Sequence, residues 1–238
     1  IHTQKLTLAR VEDAGIDAAE FWSNLYYSYP PYNYEESRNS NPIDLQASGI
    51  FGAHFINTVS PTFLKEIVNG WHSFIPDSIR NEIRNKYYAG CAEGILNAPD
   101  PTDNPVTDDK IPFHYGPENH REMKRKNKVE LQHALGLEEN PDVPLFFWPS
   151  RLDPVQKGPQ LLTDITYRFL SKYADRGAQI AVIANGPYQQ PFWDIRSFHG
   201  LQKRLGVHNF DARLSQLGFA ASDFTLMPSL FEPCGLPQ

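Results

Sequence analysis

The sequence predicts an α/β protein of parallel sheets with flanking helices. Three observations carry that reading. Short apolar runs recur at 54–59, 143–148, 179–184 and 224–227, of strand length and bounded by Pro, Gly or Asn. Helix-forming stretches separate them, as βαβ units require. The turns that follow the runs collect the chain's most reactive-looking residues, and open α/β sheets keep their ligands at such strand ends.

In chain order, 17–27 reads as a short helix with Phe21, Trp22 and Leu25 on one side. The Tyr/Pro stretch 30–42 is expected to be irregular, and 43–53 is mildly helical. Residues 54–59 then read as a strand. Ser60-Pro61 supplies an N-cap and a proline at the first helical position. A helix over 62–68 follows, stopped by Asn69-Gly70. Residues 91–97 form a second, weaker strand-like run. The Pro- and Asp-rich stretch 99–117 reads as a linker or long surface loop. Residues 119–135 make a strongly charged helix with Val129, Leu131 and Leu135 on its apolar side and Gly136 as C-cap. Beyond it come a strand at 143–148, a turn at 150–158 and an amphipathic helix at 160–173. That helix carries Leu161, Leu162, Ile165, Phe169 and Leu170 at helical spacing. A buried strand at 179–184, the turn Asn185-Gly186-Pro187, helices at 192–205 and 211–217, and a short buried strand at 224–227 complete the pattern.

Composition narrows the function. The 238 residues suit one large domain or two small ones, and 40% hydrophobic with 21% charged residues is ordinary for a globular protein. A net charge of −6 argues against nucleic acid as the main partner. No apolar run approaches the roughly 18 residues of a membrane span. The first residues, Ile1 to Lys5, lack a signal peptide's basic start and apolar core, and no initiator Met is present, so the start reads as cut. Two cysteines, Cys91 and Cys234, make no disulfide framework, which suits a reducing, cytoplasm-like setting. The eight histidines are scattered and show no metal-ligand spacing; no metal is expected.

Three strand-end turns could carry chemistry. In 150–158, Arg151 and Lys157 lie six residues apart on a turn feeding a helix. A planar guanidinium and a mobile ammonium beside a helix N-terminus could clamp an anion; a solvated turn with a surface ion pair is the plainer reading. Gly186 permits close backbone approach to a ligand, or simply makes a tight turn. In 229–238, Glu232 stands on the lip of a Pro/Gly turn. Gly235 and Leu236 could offer N–H groups to a phosphate, and Cys234 is either ligand-facing or packing.

Together, Ser150-Arg151-Leu152 with Gln156-Lys157-Gly158, and Pro228-Ser229 with Phe231-Glu232-Pro233-Cys234-Gly235-Leu236, resemble the glycogen/starch synthase family. Val59-Ser60-Pro61-Thr62, Gly94-Ile95-Leu96-Asn97 and Ile1-His2 resemble further family stretches in the same order. The resemblance runs the length of the chain, which looks like the middle half of such an enzyme. It implies parts of two Rossmann-like domains of GT-B architecture. Residues 1–118 would be the distal part of the acceptor-side domain plus linker, and 119–238 the first half of the nucleotide-sugar-binding domain.

The family's activity implies transfer of glucose from ADP-glucose to the non-reducing end of an α-1,4-glucan, with retention and without a metal or other cofactor. The implied roles are Arg151 and Lys157 on the donor's phosphates, Glu232 on the glucose hydroxyls, and Cys234 lining that pocket. Gly235 and Leu236 would face phosphate, Phe210 would stack on the base, and His2 would contact the transferring sugar. The chain departs from the family pattern in its six-residue step from Arg151 to Lys157, where five is usual. It also has Leu230 for an Arg, Pro237 for a Thr, Thr3-Gln4 after His2, and Asn97-Ala98-Pro99-Asp100 for Asn-Gly-x-Asp. The resemblance places the protein in the cytoplasm, or in a plastid if it comes from a plant, and predicts that this segment alone is inactive. Competing readings are a retaining GT-B transferase using UDP-glucose and a degenerate nucleotide-sugar- or glucan-binding module.

Overall fold

A computed structural model describes residues 5–186 and 188–236. The chain forms two compact units, residues 1–97 and 98–238.

In the first unit, β1 (Lys5–Leu6) pairs antiparallel with β2 (Ile43–Asp44), and α1 (Leu8–Asp13), α2 (Tyr34–Ser40) and α3 (Leu45–Gly52) surround that pair. Leu8, Val11, Ala18, Tyr27 and Ile43 form its core. The helix expected over 17–27 is instead two single 3₁₀ turns, Ala18–Glu20 and Trp22–Asn24. Phe21, at φ −134° between them, breaks the helical path. The remaining pair is parallel: β3 (Ile56–Thr58) and β4 (Ala92–Gly94), joined through α4 (Pro61–Asn69) and α5 (Asp77–Tyr88). The Ser60 hydroxyl accepts the Phe63 N–H at 3.2 Å and Gly70 closes α4 at φ 75°, so both expected caps operate. Helix α5 escaped the sequence reading because its buried side rests on only two residues, Ile79 and Ile83.

The second unit holds a four-stranded parallel sheet. In chain order its elements are α6 (His120–Leu135), β5 (Leu145–Trp148), α7 (Pro159–Lys172), β6 (Gln179–Ile183), α8 (Gln189–Phe198), β7 (Leu205–His208), α9 (Ala212–Ala221) and β8 (Phe224–Thr225). The strands lie in the order β7-β6-β5-β8. Side chains alternate across the sheet as a two-residue period requires. Leu145, Phe147, Ala181 and Ile183 pack against Leu131 and Leu135 of α6 and Leu217 and Ala221 of α9. Trp148, Ile180 and Val182 pack with Leu162, Leu170 and Phe192 of α7 and α8. The stretch 98–118 belongs to this unit; the buried Asn127 amide both donates to Phe113 O and accepts from Phe113 N–H.

Three expectations change here. The helix expected over 192–205 ends at Phe198, Gly200 turns the chain at φ 65°, and Leu205 to His208 form β7 instead. Their alternation was masked by the preceding helical pattern. The strand at 224–227 is a two-residue edge strand with both residues exposed, not a buried one. On α7 the buried face is Pro159, Leu162, Thr163, Thr166 and Leu170, while Leu161 and Ile165 are half-exposed. Apolar spacing alone placed the helix correctly and its face one step off.

Candidate functional site

The strand order sets the site. From β5 the chain steps to β6 and then β7 on one side, and β8 returns to the other side of β5. The order reverses at β5 and β8, and ligands of open α/β sheets sit in the crevice outside the carboxyl ends of strands at such a point. The loops leaving β5 and β8 carry Arg151, Lys157 and Glu232.

The first loop is a compact turn. The Asp153 carboxylate accepts the N–H groups of Val155 and Gln156 at 2.9 and 3.0 Å, and the Lys157 N–H reaches Asp153 O at 2.9 Å. This coil takes up the six-residue step from Arg151 to Lys157. Gly158 then sits at φ 63°, where a side chain is strained, and a Cβ there would overlap Pro228 O in the second loop. Pro159 opens α7 immediately after it, a position where its missing N–H costs no helical bond. Two further bonds tie the loops together: the Leu230 N–H donates to Gln156 O at 2.8 Å, and the buried Gln156 side chain donates to Phe231 O at 3.4 Å.

The consequence is that Lys157 Nζ lies 2.5 Å from Glu232 Oε1, with each side chain 15% exposed. The sequence separates these residues by 75 positions. Arg151, on the same loop as Lys157, lines a cavity of about 590 Å³ at the ends of β5 and β6, with Pro149, Asp153, Asn185, Phe210 and Ser215; Lys157 and Glu232 do not line it. That volume suits a small organic ligand.

The other expected residues distribute as follows. Phe210 lines the cavity as an exposed ring, and its N–H is held by the Asn185 side chain at 2.8 Å. Gly186 packs its turn against Leu152: a Cβ there would lie 3.1 Å from the Leu152 Cβ, and its φ of 139° excludes most side chains. Its neighbour Asn185, overlooked in the sequence, lines the cavity instead. Cys234 is half-buried and Gly235 turns at φ 75°. Leu236 lines a separate cavity of about 600 Å³ with Asp100, Asp103 and Phe219. His2, Pro187 and Pro237 lie outside the described residues. Among the described residues, no group of three or more His, Cys, Asp or Glu could hold a metal ion, and no helix is long and apolar enough to cross a membrane.

Ser215 is the other residue the sequence reading missed. It follows Asp211, the N-cap of α9, and nothing in its local pattern marks a site. Only the packing of α9 beside β5 and β6 brings it to the cavity.

No protein-family profile matches the chain. Glycogen synthase of Lactococcus lactis subsp. lactis (strain IL1403) is 34% identical over 236 residues, covering 98% of this chain and 47% of that protein. By sequence, this chain is a relative of the glycogen and starch synthases. Soluble starch synthase 3a, chloroplastic/amyloplastic, of Oryza sativa subsp. japonica is 38% identical over 206 residues, covering 79% of this chain and 10% of that protein. The chain thus spans about half the length of the bacterial relative it matches. The catalytic domain of starch synthase IV from Arabidopsis thaliana, solved bound to ADP and acarbose, superposes with a TM-score of 0.75 at 24% identity. It covers all of this chain, which corresponds to 46% of that one. The α/β fold of parallel sheets with flanking helices, expected from the family resemblance as parts of a GT-B enzyme, is the fold found.

Proposed function

We propose that the protein containing this chain is a retaining glucosyltransferase that moves glucose from ADP-glucose to the non-reducing end of an α-1,4-glucan. The observation that carries this reading is the meeting of Lys157 and Glu232 at the sheet's switch point, where the loop of Lys157 also brings Arg151 to a cavity lined by Phe210. In this transfer the bond between the anomeric carbon and the diphosphate oxygen breaks, and negative charge builds on the departing diphosphate. Arg151 and Lys157 supply cations at the strand ends for that charge, and electrostatic stabilisation of this kind is usually the largest single contribution to rate. Glu232 accepts hydrogen bonds from the glucose hydroxyls and fixes the sugar. Cys234 lines the sugar's position beside Glu232. The backbone N–H groups at Gly235 and Leu236 face the phosphates, and Phe210 stacks on the base, held by Asn185. His2, outside the described residues, takes the role that the family resemblance gives it, toward the transferring sugar.

The relatives favour an adenine donor: the Arabidopsis starch synthase was solved with ADP and acarbose, a nucleotide and an oligosaccharide mimic. Residues 1–118 then comprise the acceptor-side domain plus linker, of which 98–118 packs with the second unit, and 119–238 belong to the donor-side domain. We place the enzyme in the cytoplasm, or in a plastid if its source is a plant. The test is transfer of labelled glucose to glycogen with ADP-glucose and UDP-glucose competing in one assay. Incorporation should come from ADP-glucose. Arg151→Ala and Lys157→Ala should each lower turnover at least about 100-fold; wild-type rates in both variants refute the reading.

A further inference from the structure

We propose that Glu232 acts, before donor binds, as a built-in counter-anion for Lys157, so that a diphosphate gains its lysine only by displacing the Glu232 carboxylate. This rests on the nucleotide-sugar reading above. The 2.5 Å contact joins two largely buried side chains as a direct ion pair. The two loops are also tied to one another near the pair. The Leu230 N–H bond to Gln156 O, the Gln156 side-chain bond to Phe231 O and the contact of Gly158 with Pro228 O hold them together. With the backbones tied in this way, the exchange of partners is made by rotation of the Lys157 and Glu232 side chains.

The exchange treats an intact donor and a bare nucleoside diphosphate differently. Both must break the ion pair. Only the intact donor brings sugar hydroxyls that hydrogen-bond the released carboxylate. A nucleoside diphosphate without its sugar leaves Glu232 charged and unoccupied, and the carboxylate recaptures Lys157. Glu232 thus weakens binding of the diphosphate product relative to the donor and assists its departure.

The experiment titrates ADP, ADP-glucose and adenosine into the full protein by calorimetry, for the wild type, Glu232→Gln and Glu232→Ala. ADP should bind about fivefold tighter to both variants, since neither presents a competing carboxylate. Adenosine should bind all three alike, and ADP-glucose should lose its advantage over ADP in the variants. ADP binding that is unchanged or weaker in the variants overturns the proposal while leaving the nucleotide-sugar reading intact. Absence of ADP and ADP-glucose binding to the wild type overturns both.

Discussion

Gly158 shows how much of the site rests on one residue. Two separate demands meet there: a backbone at φ 63°, which L-residues adopt at a cost, and the carbonyl of Pro228 where a Cβ would go. An alanine at this position must strain its own backbone and push the β8 loop away. Gly158→Ala should therefore destabilise the protein by about 2–4 kcal/mol and weaken ADP binding, because Lys157 would be carried away from the position in which it meets the diphosphate. Urea unfolding and ADP titration of the purified variant check both effects. Gly200 has a comparable φ of 65° with open space around it, so Gly200→Ala should pay only the backbone strain.

Among the elements, α6 is the clearest case of a charged helix that is not merely solvated. Lys128 is almost wholly buried, and its ammonium donates to Pro141 O, Val143 O and the Asp223 carboxylate at 2.7 to 3.2 Å. The same carboxylate accepts the Leu145 N–H at 2.7 Å. One lysine therefore ties α6 to the starts of β5 and β8, the two strands that flank the switch point. Lys128→Met removes the cation and leaves Asp223 and two carbonyls without it. Because the Asp223 side chain is 36% exposed and can rehydrate, the expected loss is about 2 kcal/mol, below that of a fully buried pair. It should appear as a lower urea midpoint with an unchanged slope. Helix α9 is held differently, by the absence of a side chain: a Cβ on Gly218 would lie 2.5 Å from the Phe147 ring. Gly218→Ala should lift α9 from the sheet at a cost of about 1–3 kcal/mol, read by the same unfolding measurement.

For the whole molecule, two compact units mean that unfolding need not be a single transition. Arg151, Lys157, Phe210 and Glu232 all belong to the unit of residues 98–238. ADP at about 100 times its dissociation constant should stabilise that unit by about 2.7 kcal/mol, shifting its calorimetric transition upward by several degrees. A transition belonging to residues 1–97 should not move. In Lys157→Ala the shift should largely disappear. An equal shift in wild type and variant would show that the nucleotide binds elsewhere.

The local chemistry of this chain was legible without a structure. Ser60-Pro61 had to begin a helix and Gly136 had to end one, because capping depends on residues within a turn of each other. The turns at 150–158 and 229–236 announced themselves through Arg, Lys, Glu and Gly at strand ends, and their combination carried the family resemblance. What the tertiary structure decided was every relation that neighbours along the chain cannot settle. The strand Leu205–His208 emerged only from pairing with β6, since four residues after a helix carry too little pattern of their own. The buried side of α7 includes two threonines, Thr163 and Thr166, because the sheet beneath chose the face. Asn185 and Ser215 joined Arg151 and Phe210 through packing of β6 and α9. The pairing of Lys157 with Glu232 likewise followed from β8 returning beside β5, which closes a 75-residue separation to a direct contact. Caps and turns are short-range and are written in order along the chain. A parallel sheet is built from long-range pairings, and its strand order, which places the site, exists only once the chain has folded back on itself.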